Sequence, residues 1–592
     1  MRLDSRAAMT CPEYLHKKYA PNRFALGAPT ELSGMARELS RQGHEHEARV
    51  FETIKSACTR WVHIDSDADK YQREVQTVAA LFNPEVDIIL GATIGTQAEA
   101  DISRLLGLNS LEGTGRVSSP DILIRDKGAT GSTPAWLPVD VKAHSAIENN
   151  KSNIVWQASI SQTLTTEGDE LQGRLREEDA LQLAHYVTHL NQLGIGTGGT
   201  LAGIIGRDGN SIAWAELSAT SFGRGSSAET AMGRYLRKFA ESEFVVEQAI
   251  KRNLDPTVLA PAIPMYDGNA KKCPTCEFKT VCLDEMKNYK GSGHVTLLAG
   301  ITPAKAATLG VDSIGELAND IGGNAELVQR AKVYLSGIPE VLIGQTFDVP
   351  TFDVEIDIDL ENSQAALEEI GATDVMEPDR VFLYGYIKHD RTIIENWDEN
   401  DAQSFENYGN DAESEFEVLS SMWNYLAGEV DQAVASGKTI GIYHYSPVEV
   451  TWFRRFAQRY EGRIGVPTGD AVNEFVNDYF IDLIKIAKCV AFPASKKSAL
   501  GGYSIKTLAP LIPFEWHVDD GSGAEALIRY KQAIEVSAKS EEARTWLRCY
   551  NWDDVRATMA LRNWMRDDMV MGRDVAHRTD CSVCLAWALA SE

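Results

Sequence analysis

Two periodicities alternate along the chain. Residues 121–126 (DILIRD) and 136–144 (WLPVDVKAH) have the short, β-branched, alternating character of strands, and the turn-forming KGATGSTPA between them predicts a hairpin. On a strand, residues two apart share a face. Asp140 and Lys142 therefore project together while Val139 and Val141 project into the core, and pairing of the strands brings Asp121 alongside. Further on, REEDALQLAHYVTHLNQLG sets Leu181, Ala184, His185 and Leu190 near helical spacing. Residues 291–337 change to two short helical patterns split by Gly and Pro. From about Val341 a second stretch opens with TFDVEIDIDL, in which Asp353, Glu355, Asp357 and Asp359 occupy one face and Phe352, Val354, Ile356 and Ile358 the other. The pattern predicts an α/β chain in three parts: 1–290, a small helical connector at 291–340, and a second α/β unit at 341–575, with a short tail and no internal repeat.

Composition narrows the class. At 592 residues the chain exceeds one ordinary core, and 44% hydrophobic with 24% charged residues is globular usage. A net charge of -27 excludes a protein that coats nucleic acid through bulk electrostatics, yet leaves room for a local basic groove beside carboxylates gathered around cations. No signal-peptide core and no uncharged apolar run approaching roughly 20 residues is present, so a soluble, cytoplasmic protein without membrane contact is expected. Nine cysteines in a chain of this length do not form a secreted disulfide framework, and clustered ones read better as metal ligands.

The strongest local chemistry is SSPD (118–121) with VDVK (139–142). Asp121 and Asp140 beside Lys142 suit metal-assisted phosphodiester hydrolysis: carboxylates hold a hard divalent cation, Mg2+ or Mn2+, and the lysine positions water and neutralises developing charge. Exposed hairpin charges are the plainer reading of so short a motif. Its surroundings add to it. RQGHEHEARVFE supplies Gly43, His46 and Glu47 in GxxHE phase, with His44 as a neighbouring competitor, and Gln182 and Tyr186 form QxxxY. This order resembles the RecB-like PD-(D/E)xK nucleases, with a restriction-endonuclease-like fold, over the first 290 residues. The resemblance implies metal coordination by His46, Asp121 and Asp140, catalysis by Lys142, and positioning of the lysine or the DNA end by Gln182 and Tyr186.

KKCPTCEFKTVC provides Cys273, Cys276 and Cys282, one thiolate short of a four-ligand set, with Cys11 as the candidate fourth. One cysteine ahead of the core and three after it resembles the 4Fe-4S staple of AddB and of CRISPR-associated RecB-like exonucleases. Zinc is the rival metal. Cys581 and Cys584, with His577 nearby, lack a fourth ligand, and together with Cys58, Cys489 and Cys549 they read as packing thiols. The connector resembles a single helix-hairpin-helix, packed through Leu298, Ile301, Ala306, Leu309, Ile314 and Leu317, with Gly300 opening the hairpin and Thr302 in place of its usual second glycine.

The acidic face of TFDVEIDID is unusual because like charges on one strand face repel unless cations neutralise them. Its FDxE opening resembles the first motif of DEDD-type 3'-5' exonucleases on a ribonuclease-H-like fold. Tyr550 and Asp554 have the YxxxD spacing of the third motif. Glu449, in IGIYHYSPVEVTWFRRF, takes the place of the second-motif aspartate, with Asp482 as an alternative. Nearly the whole chain resembles RecB-family nucleases carrying a C-terminal YprB-type domain. That implies metal ligation by Asp353, Glu355, Glu449 and Asp554, with Tyr550 orienting water. The expectation is a DNA exonuclease acting on ends or single strands in replication, repair or recombination. A nucleic-acid-binding adaptor with degenerate sites, and an exoribonuclease working through the C-terminal half, are the alternatives. No GxxxxGK[ST] loop is present, so unwinding falls to a separate helicase.

Overall fold

The computed structural model describes residues 2–19, 34–108, 113–128, 133–148, 153–160, 169–223, 228–254, 276–320, 322–346, 348–363, 379–393, 401–409, 411–493, 502–518, 523–535, 537 and 539–568. Contacts divide the chain into two units, one from Met1–Pro29 and Ala36–Pro264, the other from Thr30–Met35 and Met265–Glu592. This grouping puts the helix Lys279–Lys287 and the expected connector with the second unit.

The first unit runs α1 (Gly34–Ala57), β1 (Trp61–His63), α2 (Lys70–Phe82), β2 (Ile88–Leu90), α3 (Thr96–Leu105), β3 (Ile122–Arg125), β4 (Trp136–Val141), β5 (Ile154–Ser159), β6 (Asp169–Gln172), α4 (Glu177–Gln192), β7 (Leu201–Ile205), β8 (Ser211–Glu216) and α5 (Ala231–Leu254). Eight strands form one sheet in the order β1-β2-β3-β4-β7-β8-β5-β6. The expected hairpin forms: β3 and β4 are antiparallel, with Ile122 opposite Val139 and Arg125 opposite Trp136. β4 is buried from end to end because both sheet faces are covered. On one face Val50, Phe51 and Ile54 of α1 pack with Ile122, Ile124, Val139 and Val141. On the other, Leu181 and Ala184 of α4 pack with Ile204. Glu177, Glu178 and Asp179 in the first turn of α4 complement the positive end of its dipole.

In the second unit the connector folds as the short helices Pro303–Ala306 and Ile314–Ala318 followed by α6 (Ala325–Ser336). Leu298, Ile301, Ile314 and Leu317 are buried there, and Gly300 takes a left-handed φ of 79°. Next come β9 (Val354–Asn362), β10 (Val381–Asp390), β11 (Gln403–Glu406), α7 (Ala412–Ala435), β12 (Ile440–His444), α8 (Val448–Arg459), α9 (Gly469–Tyr479), β13 (Phe480–Asp482) and α10 (Ser540–Asn563). The sheet order is β11-β10-β9-β12-β13. β9 is antiparallel to β10 and parallel to β12, and β12 is parallel to β13.

The alternation read in TFDVEIDIDL decides how β9 is covered. Its apolar side, Val354, Ile356, Ile358 and Leu360, packs with Val418, Met422 and Leu426 of α7 and Phe453 of α8. Its acidic side meets α10. There the Arg562 guanidinium, 1% exposed, donates through Nε to Asp357 Oδ1 at 3.0 Å and through Nη2 to Asp357 Oδ2 at 2.7 Å, and it pairs with Glu355 through Nη1. Arg566 adds an ion pair to Glu355 at 2.9 Å. Burial raises the Glu355 carboxyl, but the two arginines outweigh it and hold it below its usual range.

Replacing Arg562 with Met leaves two carboxylates buried with one cation fewer. Losing one partner of a buried ion pair costs about 3–5 kcal/mol. Urea unfolding followed by tryptophan fluorescence is expected to show a C-terminal transition shifted down by that amount; an unchanged midpoint refutes the assignment.

Candidate functional site

In the first unit, one helix gathers the sequence motif. The register Ile122 opposite Val139 sets Asp121 beside Asp140, and the Asp121 carboxylate accepts the Val141 backbone N–H at 2.8 Å. Lys142 Nζ lies 2.5 Å from Asp140 Oδ2 and donates to Gln182 Oε1 at 2.9 Å. Gln182 Nε2 contacts Asp140 Oδ1 at 3.3 Å and Tyr186 Oη at 2.7 Å, and Tyr186 Oη donates to the Ser119 carbonyl at 3.2 Å. Gln182 and Tyr186 are four apart on α4, so both face the strand ends. Burial is the main cause that drives the Asp121 carboxyl well above its ordinary range, followed by Asp140 and Glu47. Burial alone lowers the Lys142 ammonium, but Asp140, Asp179 and Asp121 together push it up.

His46 stands somewhat apart. It is buried, its Nε2 lies 3.1 Å from the Gly206 carbonyl, and burial lowers its pKa. Among the described residues, His46, Asp121 and Asp140 do not bring three ligand atoms within 4.8 Å of one another. Cys11 is half-buried in the first unit; Cys276, half-buried, and Cys282, buried, belong to the second; Cys273 lies outside the described residues. Cys581, Cys584 and His577 lie outside them too.

In the second unit three carboxylates do converge. One oxygen each of Asp359, Glu361 and Asp554 lies within 4.8 Å of the others. Asp359 and Glu361 project from the far end of β9 and Asp554 from α10. Gly385, opposite Asp359 on β10, leaves the room that the Asn551 side chain of α10 occupies, and Asn551 Nδ2 donates to Asp359 Oδ2 at 2.8 Å. Burial raises the Asp359 carboxyl well above its usual range, reinforced by Asp554, Glu361 and Glu449 and opposed by Lys506. Asp554 is likewise raised by burial, against Lys506. Glu449, buried in the first turn of α8, contributes to this field while it contacts His444 Nδ1 and Ser446 Oγ, both at 3.3 Å. The Tyr384 hydroxyl, fully buried and raised by burial and by Glu449 and Asp359, has no hydrogen-bond partner among the described residues.

This cluster differs from the one expected. Asp353 sits before β9 and its Oδ2 accepts from the backbone N–H and the hydroxyl of Thr439, each at 2.8 Å. Glu355 is neutralised by Arg562 and Arg566. Neither reaches the carboxylate cluster. A D-x-E pair occurs twice on the acidic face, and the converging pair is the second, Asp359 and Glu361. The signal that distinguishes them is position: ligand sites in open α/β sheets gather at the carboxyl ends of parallel strands, where β9 ends and where Glu449 follows β12. Of the residues expected to ligate metal in this unit, Asp554 lies in the cluster. Tyr550 is buried and stacks on Trp546 at 5.2 Å, and Lys506 Nζ lies 4.1 Å from its ring centre. Asp482 caps a short helix by accepting the Ile484 N–H at 3.2 Å. Lys506 and Asn551 carried no sequence motif.

The three oxygens are hard donors, two of the three carboxylates are buried, and repulsion among them is relieved by a cation, so the set fits Mg2+ or Mn2+. A carboxyl whose folded pKa is raised binds more protons folded than unfolded. Stability therefore falls as pH rises from about 4 upward through the raised value. In EDTA, Asp359→Asn is expected to flatten the decline in Tm as pH rises; in chelator-free buffer at pH 8 it is expected to remove the Tm gain that added Mn2+ gives wild type. Equal pH and Mn2+ responses in wild type and variant sink the assignment.

A family model of the RNase H superfamily matches residues 373–566. The match spans about a third of the chain, includes Glu449 and Asp554, and begins after the strand that carries Asp359 and Glu361. No curated protein and no solved structure matches the chain. Among the described residues, no helix is long and apolar enough to cross a membrane. The C-terminal part of this chain is an RNase H-like domain, a kind that suggests nuclease-type activity and that generally uses divalent metals.

Proposed function

We propose that the chain is a divalent-metal-dependent nuclease that hydrolyses phosphodiester bonds, working on DNA ends or single strands in replication, repair or recombination. The observation that carries this reading is the convergence of Asp359, Glu361 and Asp554 beside the matched RNase H-like region, with Glu449 near enough to help raise the Asp359 carboxyl. These four would hold the metal, which supplies charge stabilisation to the attacking and leaving oxygens. The chain's own residues do the rest. Asn551 fixes the Asp359 carboxylate, Gly385 lets Asn551 reach it, and the Arg562 pairs keep Asp357 and Glu355 out of the site.

The first unit is proposed as a second, RecB-like nuclease centre. Asp121 and Asp140 would take the metal with His46, and Lys142, oriented by Gln182, would face the phosphate. Support comes from four motif residues, Asp140, Lys142, Gln182 and Tyr186, that share one hydrogen-bonded chain although they lie far apart in sequence. Cys11, Cys273, Cys276 and Cys282 are proposed to carry a 4Fe-4S cluster, on the strength of their spacing. The compartment is proposed as cytoplasmic, with any duplex opening supplied by a separate helicase.

End-labelled single-stranded DNA, double-stranded DNA and matching RNA, each with Mg2+ or Mn2+, test the two centres. Asp359→Asn and Asp554→Asn are expected to abolish one cleavage activity, and Lys142→Ala another. If both Asp variants cut as wild type does, the C-terminal centre is not the working one; if wild type cuts nothing, the nuclease reading fails in favour of an adaptor. Separately, anaerobically purified protein is expected to contain iron and acid-labile sulfide that Cys282→Ala loses. Zinc in their place identifies the rival metal.

A further inference from the structure

We infer that Lys506 is a catalytic residue of the C-terminal centre: it is the cation that exchanges the Asp554 carboxylate for the scissile phosphate when metal and substrate enter. This rests on the proposed nuclease reading. Lys506 lies on the short turn Ile505–Leu508, and its Nζ donates to both oxygens of Asp554, at 2.7 and 2.9 Å. The same ammonium opposes the raised pKa of Asp359, so its charge reaches two of the three converging carboxylates. It is held in place by more than charge. Its Nζ lies 4.4 Å from the ring centre of Trp516 and 4.1 Å from that of Tyr550, an arrangement in which two aromatic faces fix the direction of a cation.

Both Asp554 oxygens are occupied by this ammonium, so a divalent cation that binds Asp554 competes with it. The displaced ammonium remains tethered between two rings at the edge of the cluster. Its side chain keeps 34% of its exposure, against 9% for Asp554, and it can therefore meet a ligand arriving from solvent. The ligand that matches a positive charge beside a carboxylate-bound metal is a non-bridging phosphate oxygen, where a preformed donor is worth most as negative charge builds up. Hydrolysis forms the bond from water oxygen to phosphorus and breaks the bond to the leaving oxygen, which takes up a proton; no bond to Lys506 forms or breaks.

The test uses full-length Lys506→Met and Lys506→Arg, each also carrying Lys142→Ala so that the first unit does not contribute to cleavage. Two readouts are taken, Mn2+ titration by calorimetry with Asp554→Asn as the blank, and kcat and KM on the substrate that the C-terminal centre cuts. The expected result is that Lys506→Met binds Mn2+ more tightly than wild type yet loses on the order of 100-fold or more in kcat, with Lys506→Arg recovering part of the rate. Wild-type kcat in Lys506→Met overturns the inference. So does loss of Mn2+ binding together with activity, because that pattern marks a merely structural lysine. If the Lys142→Ala parent cuts nothing, the C-terminal nuclease reading fails, while unchanged or weaker Mn2+ affinity in Lys506→Met separately refutes the competition for Asp554.

Discussion

The C-terminal domain is organised around one constraint: β9 presents four carboxylates, Glu355, Asp357, Asp359 and Glu361, on a single face that meets α10, three of them buried and Asp359 half-buried. Carboxylates this close do not stay ionised away from water without positive charge near them. The protein divides them. Arg562 and Arg566 neutralise the pair nearer the start of the strand. The pair nearer its end meets a further carboxylate, Asp554, and one lysine. The same helix delivers Arg562 to the first pair and Asp554 to the second, so it turns one strand into an ion-paired half and a half where carboxylates converge.

This division explains details that otherwise look unrelated. Gly385 on the neighbouring strand makes space for Asn551, which gives Asp359 a hydrogen-bond donor that adds no charge to the cluster. Asp553, next to Asp554, is turned away to His517 Nδ1 at 2.7 Å and to Arg556 at 2.6 Å, which separates two adjacent aspartates into a folding contact and a member of the carboxylate cluster. The apolar side of β9 packs under α7 and α8 and fixes the strand, so its carboxylates hold their positions through core packing.

The N-terminal unit solves a similar problem differently. There two carboxylates and one lysine lie on neighbouring strand ends; the neutral Gln182 side chain of α4 links Asp140 to Lys142, and the Val141 N–H holds Asp121. Nearby, the same helix anchors the segment leading into Asp121: His185 Nε2 lies 2.8 Å from the Val117 carbonyl, and His189 Nδ1 2.8 Å from Ser118 Oγ. The strong upward shift of Asp121 and the raised Lys142 are two consequences of one buried cluster in which negative charge exceeds positive.

Local pattern in the sequence determined what local physics governs. The period-two alternation marked β3, β4 and β9 and told which side chains share a face; the apolar spacing marked α4; and the spacing of Gln182 and Tyr186 put both on one side of a helix. The acidic face of β9 was legible as an anomaly needing cations. Which cations serve which carboxylates was not, since Arg562 and Lys506 lie far from β9 along the chain and neither belongs to a motif. Only the tertiary structure assigned Asp353 to a hydrogen bond with Thr439 just before β12 and, by laying α10 across the strand, Glu355 to an ion pair and Asp359 and Glu361 to the carboxylate cluster. A repeated D-x-E spacing is degenerate in one dimension, and the degeneracy is lifted by what packs opposite each copy.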